Sequence, residues 1–275
     1  MKLSVIIVNY KSPELLRLCL TSIENCGLDK SLHEIIVVDS ETSRETQDVV
    51  LENFPGTKLI PVKENLGYAR GVNLGLNSAQ GDYLLVMNPD IILNREAIDL
   101  LLNYAQNHPR TGIVAPQLLG FNGQKQDSYF RFYRPMTIIA RRTILGRLPK
   151  FKKIVQHFLM AETDPEKIQH PDWVMGSILL LPRKTLAKVG GMDEKFFLYF
   201  EDVDWARRFW ENGYTVTYLP TAKVYHYHQQ RSKAGFDILD FIIRKETRWH
   251  VRSAIKYFRK YGFAKYSPFS SKNEE

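Results

Sequence analysis

Cysteine is scarce. Only Cys19 and Cys26 occur, both in the first predicted helix and without a metal-ligand pattern, which is compatible with a reducing cytoplasm and says little more. Long apolar runs are missing too: no stretch approaches the roughly 18 to 20 residues that a membrane span needs. The opening Met1 to Asn9 is too short for a signal peptide, is interrupted by Asn9 and has no small-residue cleavage site, so it reads as a strand. The protein is therefore expected to be soluble or peripheral. No G-x-G-x-x-G follows the first strand and no Walker G-x-x-x-x-G-K-[ST] occurs anywhere, which argues against dinucleotide dehydrogenases and P-loop enzymes. Internal repeats and low-complexity segments are absent. Acids are outnumbered, 30 against 38 Lys and Arg, and the net charge of +8 suggests an anionic partner such as nucleotide, phospholipid or nucleic acid. A chain of 275 residues is long enough for one large domain, or for one domain with an appendage.

What is present begins with Leu3 to Val8, a β-branched strand, followed by Ser12-Pro13 and a helix whose Leu15, Leu16, Cys19, Leu20 and Ile23 share a face. A second strand, Glu34 to Val38, ends in Asp39-Ser40. A helical stretch, Thr42 to Asn53, and a third strand around Lys58 to Pro61 follow. Strand and helix alternating at this spacing predict an α/β fold with a doubly wound parallel sheet. The chain is organised around Gly81 to Asp90, where the apolar run Tyr83 to Met87 reads as a strand covered on both faces. Pro89 ends its ladder and presents Asn88 and Asp90 at the carboxyl edge, where open α/β sheets bind ligands. Asx residues here are equally at home as caps of the following helix, Asn94 to Asn107. Gly67, Gly71 and Gly75 lie one helical turn apart, which suits close helix packing, while Asn65, Gly67 and Arg70 could meet a phosphate.

The second half is different in character. Nine basic residues from Lys125 to Lys153 are interleaved with Phe130, Phe132, Tyr133, Ile138, Ile139, Leu145, Leu148 and Phe151, with only Asp127 opposing them. No nucleic-acid motif accompanies them, and an interfacial segment facing an anionic membrane or a solvated helical insertion fits the pattern. Trp173 to Pro182 reads as one strand. After Gly190-Gly191 comes an aromatic wall, Phe196 to Phe200, running into Glu201, Asp202 and Asp204. Helix-start acids are stabilised by the helix dipole, but acids beside an apolar wall also suit general-base use. Tyr214 to Leu219 is a further strand, and Val224 to His228 places His226 and His228 on one face, where they are structural or metal-ligating. A basic helix from Phe236 to Tyr261 closes the chain.

In collinear order over residues 3 to 232, Val5-Ile6-Ile7-Val8-Asn9-Tyr10, Val37-Val38-Asp39, Asn65-Leu66-Gly67-Tyr68-Ala69, Asn88-Pro89-Asp90, Gly190-Gly191-Met192-Asp193-Glu194, Glu201-Asp202-Val203-Asp204 and His226 resemble glycosyltransferase family 2. The likeness is greatest to bacterial rhamnosyltransferases of cell-wall and surface-polysaccharide assembly. The resemblance implies a GT-A fold, Rossmann-like with a mostly parallel sheet flanked by helices, over residues 1–232. Residues 1–118 would form the nucleotide-sugar half and 119–232 the acceptor half, with a basic helical extension over 233–275. It also implies an inverting transfer from a dTDP- or UDP-sugar to a saccharide or lipid-linked saccharide, with Mg²⁺ or Mn²⁺, in the cytoplasm or on the inner face of the plasma membrane. By position, Asp202 would be the base, supported by Glu201, Asp204 and Trp173. Asn9, Tyr10, Asp39, Asn65, Gly67, Arg70, Asn88 and Asp90 would bind the donor, with Asp39 on the pyrimidine base. Asp90 and His226, or else His228, would hold the metal. Asn88 replaces the first Asp of the family's D-x-D and Ser40 stands where Asn is common. The rival classes are a non-catalytic nucleotide-sugar-binding protein of the same fold and a sugar-phosphate nucleotidyltransferase; the latter should carry a Gly-rich, Arg-containing loop after the first strand, and Asn9 to Pro13 is not one.

Overall fold

The computed structural model describes residues 2–142, 146, 148–227, 245–263, 266 and 268. The first half alternates as expected: β1 (Leu3–Tyr10), α1 (Pro13–Asn25), β2 (His33–Ser40), α2 (Arg44–Asn53), β3 (Thr57–Val62), α3 (Tyr68–Ser78) and β4 (Tyr83–Met87). A two-residue strand β5 (Ile91–Ile92), α4 (Arg95–Asn107) and β6 (Thr111–Leu119) follow. Side chains decide several boundaries. Ser43 Oγ accepts the Thr46 N–H at 3.2 Å to start α2, and Asn94 Oδ1 accepts the Ala97 N–H at 2.8 Å to start α4.

The second half contributes β7 (Tyr129–Phe130), α5 (Pro135–Arg142), α6 (Pro149–Phe158), β8 (Trp173–Val174), β9 (Ile178–Pro182), α7 (Arg183–Val189), α8 (Glu201–Glu211), β10 (Thr215–His226) and α9 (Lys245–Tyr261). Eight strands form one sheet in the order β3-β2-β1-β4-β9-β6-β10-β5. β1 to β4 pair in parallel, as do β6 and β10, while β9 runs antiparallel between β4 and β6. Alternation along β1 sends Val5 and Ile7 to one face, against α1 and α4, and Ile6 and Val8 to the other, against α3 and α8. A Cβ on Gly71 would come within 2.7 Å of Val8, and one on Gly75 would collide with Ile6, so these glycines let α3 lie flat on β1.

Three expectations change. The run Trp173 to Pro182 is two strands, because the chain turns at Gly176: Trp173–Val174 pairs with Tyr129–Phe130 in a separate two-stranded sheet, and Ile178–Pro182 enters the main one. The strand starting near residue 214 does not stop at Leu219. It continues to His226 through a register shift between Leu219 and Lys223, where Pro220 has no N–H to give the ladder. The aromatic residues of the basic segment are not an exposed face, since Phe130 and Phe132 are buried, Phe151 is half-buried and Tyr133 packs on Trp173 and Phe200. Acids from later in the chain also answer part of its charge, Glu166 pairing with Lys125 and Asp172 with Arg131.

Candidate active site

The carboxyl ends of β1 and β2 put Asn9 and Asp39 side by side in register. Asn9 Nδ2 donates to Asp39 Oδ1 at 2.7 Å in a fully buried contact, whereas Asp39 Oδ2 and Asn9 Oδ1 are buried without a hydrogen-bond partner. Orphaned buried acceptors are costly, so two of them at a sheet edge mark where a ligand's donors belong. Tyr10 is exposed beside this pair. Ser40 Oγ accepts the Leu66 N–H at 2.9 Å and so ties β2 to the loop that leads into α3. In that loop Asn65 Oδ1 accepts the Gly67 N–H at 2.9 Å. Gly67 has φ +75°, and a Cβ there would collide with the Phe197 carbonyl, which accepts the Tyr68 N–H at 2.9 Å. Arg70 points elsewhere, to an exposed ion pair with Glu194 at 3.4 Å.

The turn after β4 supplies the next part. Asn88 donates its N–H to Ser177 O at 2.9 Å, and Asp90 Oδ2 lies 3.5 Å from His226 Nε2. Gln126, which the sequence pattern does not single out, holds that histidine from behind. Its Nε2 donates to the His226 carbonyl at 3.0 Å, so its Oε1, 2.8 Å from Nδ1, must accept from the ring. In its neutral form the ring then carries its proton on Nδ1 and turns the Nε2 lone pair toward Asp90. Two electron-rich atoms at this spacing, with Asp90 Oδ1 buried and unpartnered, suit a shared cation. No three His, Cys, Asp or Glu side chains converge among the described residues. Two protein ligands are still enough for Mg²⁺ or Mn²⁺ when substrate phosphates and water complete the shell. His228 lies outside the described residues.

The acids of α8 separate into two roles. Tyr199 and Phe200, both with φ +68°, turn the chain sharply into the helix, an unusual conformation for two bulky residues in succession. Asp202 then faces the Gly176 turn: its Oδ2 accepts the Gly176 N–H at 3.1 Å and its Oδ1 accepts its neighbour Val203 N–H at 2.9 Å. Burial pushes its carboxyl up to about 6, against those N–H groups, which pull it down. Glu201, more deeply buried and with Oε2 unpartnered, is held well above the usual carboxylate range by burial first and by the charge of Asp202 second. Of the two, Glu201 holds its proton the more firmly, so Asp202 is the member that ionises first.

Asp204 turns away from this pair. It is fully buried, with Arg208 Nε at 2.8 Å, Lys260 Nζ at 2.6 Å and Tyr261 Oη at 2.8 Å, and it anchors α9 to α8. Asp204→Ala would take the buried carboxylate from Arg208, Lys260 and Tyr261, leaving Lys260 with Asp193 and Arg208 with the Val189 and Gly191 carbonyls, and should cost about 1.5 to 3 kcal/mol; urea unfolding checks this, and an unchanged midpoint would refute the anchor. Trp173 is also behind the site, stacked on Phe130 with ring centroids 4.6 Å apart and donating Nε1–H to Arg131 O at 2.9 Å. The Gly176-Ser177 turn joins the parts, since it meets Asp202, Asn88 and, through Gly176 O, the hydroxyl of Tyr68 at 2.7 Å. A cleft beside it is walled by Met175, Gln126, His226, Tyr227, Phe121 and Arg141.

The family model "Glycosyl transferase family 2" matches residues 4–172, more than half of the chain, and "Glycosyl transferase family group 2" matches 135–269, which takes in α9. An N-acetylglucosaminyl-diphospho-decaprenol L-rhamnosyltransferase of Mycobacterium tuberculosis is 28% identical over 207 residues, 70% of this chain and 66% of that protein, so the chain spans about two thirds of that relative. Rhamnosyltransferase WbbL of Escherichia coli is 24% identical over 261 residues, covering 92% of this chain and 91% of the relative. Among solved structures, GalNAc-T7 with UDP, GalNAc and Mn²⁺ superposes with a TM-score of 0.66 at 16% identity, over 94% of this chain and 48% of that one. The mannosyltransferase PcManGT of Pyrobaculum calidifontis with GDP-Man and Mn²⁺ gives 0.61 at 18%, over 98% and 66%. These likenesses show that the fold is GT-A.

Proposed function

Because this chain belongs to glycosyltransferase family 2, we propose that it is an inverting, metal-dependent transferase that moves a sugar from a pyrimidine nucleoside diphosphate to a saccharide or lipid-linked saccharide in cell-envelope polysaccharide synthesis. Rhamnose is favoured, by likeness to the mycobacterial and E. coli enzymes. The observation that carries the reading is the Gly176-Ser177 turn, which hydrogen-bonds at once to the carboxylate of Asp202 and to the backbone of Asn88. That arrangement supports a base held opposite the donor-side turn. Asp202, ionised above about pH 6, takes the proton of the acceptor hydroxyl as that oxygen attacks the anomeric carbon. One in-line displacement inverts the centre. Asp90 and His226 would hold a divalent ion, which when bound neutralises charge on the departing nucleoside diphosphate. The exposed Met136 and Ile139 on α5, and Leu148 just before α6 with its Lys150, Lys152 and Lys153, support contact with an anionic membrane surface.

Release of nucleoside diphosphate from dTDP-rhamnose, UDP-sugars and GDP-mannose, with Mg²⁺ or Mn²⁺, tests the reading; no release from any of them would sink it. Asp39 Oδ2 can accept the N3–H of thymine or uracil, so a pyrimidine donor is expected to bind more tightly than an adenine one, whose N1 carries no hydrogen. Asp39→Ala should weaken binding of the pyrimidine donor by about 10- to 100-fold, the worth of one hydrogen bond to a charged group. Calorimetric titration with dTDP measures it, and wild-type affinity in the variant would place the base elsewhere.

A further inference from the structure

Tyr68 is the first residue of α3, and its hydroxyl lies where both halves of the site meet. It donates to Gly176 O at 2.7 Å, across 108 residues of chain. The N–H of the same Gly176 donates to Asp202 Oδ2, and the next carbonyl, Ser177 O, accepts from Asn88 N. A Cβ on Gly176 would sit 3.2 Å from the Asp202 Cβ, so the turn is pressed against the base and has no side chain of its own to steady it. We propose that Tyr68 is a positioning residue for the general base: its hydroxyl fixes the Gly176 peptides so that their N–H holds the ionised Asp202 in its catalytic orientation.

The inference rests on the reading of Asp202 as base. The titratable groups that face this arrangement are Glu201 on the same helix, Tyr68 from α3 and, across the cleft, Asp90. Burial, and after it the charges of Glu201, Asp202 and Asp90, keep the Tyr68 proton in place, so the phenol acts as a donor throughout the working pH range. The sign of the effect follows from the Gly176 bond. That N–H stabilises the carboxylate and lowers its pKa. A loosened turn lets the bond lengthen, the pKa of Asp202 rises, and the ionised base appears only at higher pH.

Tyr68→Phe keeps the ring and its packing and removes the hydroxyl. The expected result is a kcat about 10-fold lower, donor affinity within twofold of wild type, and the acid limb of the kcat profile moved up by about half a pH unit or more. Gly176→Ala should move the same limb, and the double variant should move it little further, because both changes act through one bond. A ¹³C-carboxyl NMR titration, with Asp202→Asn to assign the resonance, reads the same shift without turnover. If wild type releases no nucleoside diphosphate while the resonance still shifts in Tyr68→Phe, the transferase reading fails and the positioning role stands. If the resonance and limb stay put in Tyr68→Phe, whether or not kcat falls, Tyr68 is merely structural and the inference is overturned.

Discussion

Asp202→Asn is expected to lower kcat by about 10²- to 10⁴-fold, the usual worth of a positioned general base, with donor affinity nearly intact. The substitution keeps the shape of the side chain. It leaves one oxygen for the two N–H groups, of Gly176 and Val203, that the carboxylate now serves, so a modest fall in melting temperature should accompany it. Wild-type kcat should rise with pH through about 6 and level off above it, because the carboxyl must lose its proton to act. Residual activity in the variant should lack that limb. Glu201→Gln is the informative neighbour. Burial and the charge of Asp202 hold the Glu201 carboxyl well above the usual carboxylate range, and a neutral amide of the same shape should cost only a few-fold. Were Glu201→Gln inactive and Asp202→Asn normal, the base would be Glu201.

Asp90→Ala should abolish metal-dependent donor binding, a loss of about 100-fold or more, since it removes the carboxylate beside the His226 ring that would hold the divalent ion. His226→Ala removes the second donor atom. Gln126→Ala removes the acceptor that holds the Nδ1 proton and should weaken the metal by about 10- to 100-fold, the scale on which groups behind a ligand act. Asn88→Ala should do far less, because Asn88 meets the Gly176-Ser177 turn through its backbone N–H. Mn²⁺ titration followed by electron paramagnetic resonance, with and without dTDP, separates these variants. Full turnover by wild type in excess EDTA would exclude the ion from the reaction.

What was legible in the chain was whatever a short stretch decides by itself. The β-branched runs of β1 and β2, the stop at Pro89 and the Asx residues at strand ends announced a parallel sheet with a polar carboxyl edge. Asp39 and Asp90 stand out as acids that follow apolar runs, whereas only the family resemblance distinguishes Asp202 from Glu201 and Asp204. Pairings across long separations were not legible. Gln126 reads as one polar residue among several until His226 arrives 100 positions later. Asp204 looks like a third member of an acidic cluster until Lys260 and Tyr261, from beyond it, occupy its oxygens. Basic and aromatic interleaving from Lys125 onward suggested a surface, yet pairing with Glu166 and Asp172 and burial of the rings are settled only by what packs against them. The turn at Gly176 lay hidden inside an apolar run that local pattern read as one strand.

The place of β9 has a consequence for how the molecule is made. Without it the sheet would be two blocks, β3-β2-β1-β4 and β6-β10-β5, sharing no ladder. Both β4 and β6 leave the ribosome before residues 178–182 exist, so each waits with an open hydrogen-bonding edge flanked by buried-type side chains. Such edges template association with other nascent chains. A release of synthesis anywhere between residue 119 and residue 178 therefore leaves a product without β9, α8 and β10 and with the facing edges of β4 and β6 uncovered, and chaperone demand should be concentrated in that interval of translation.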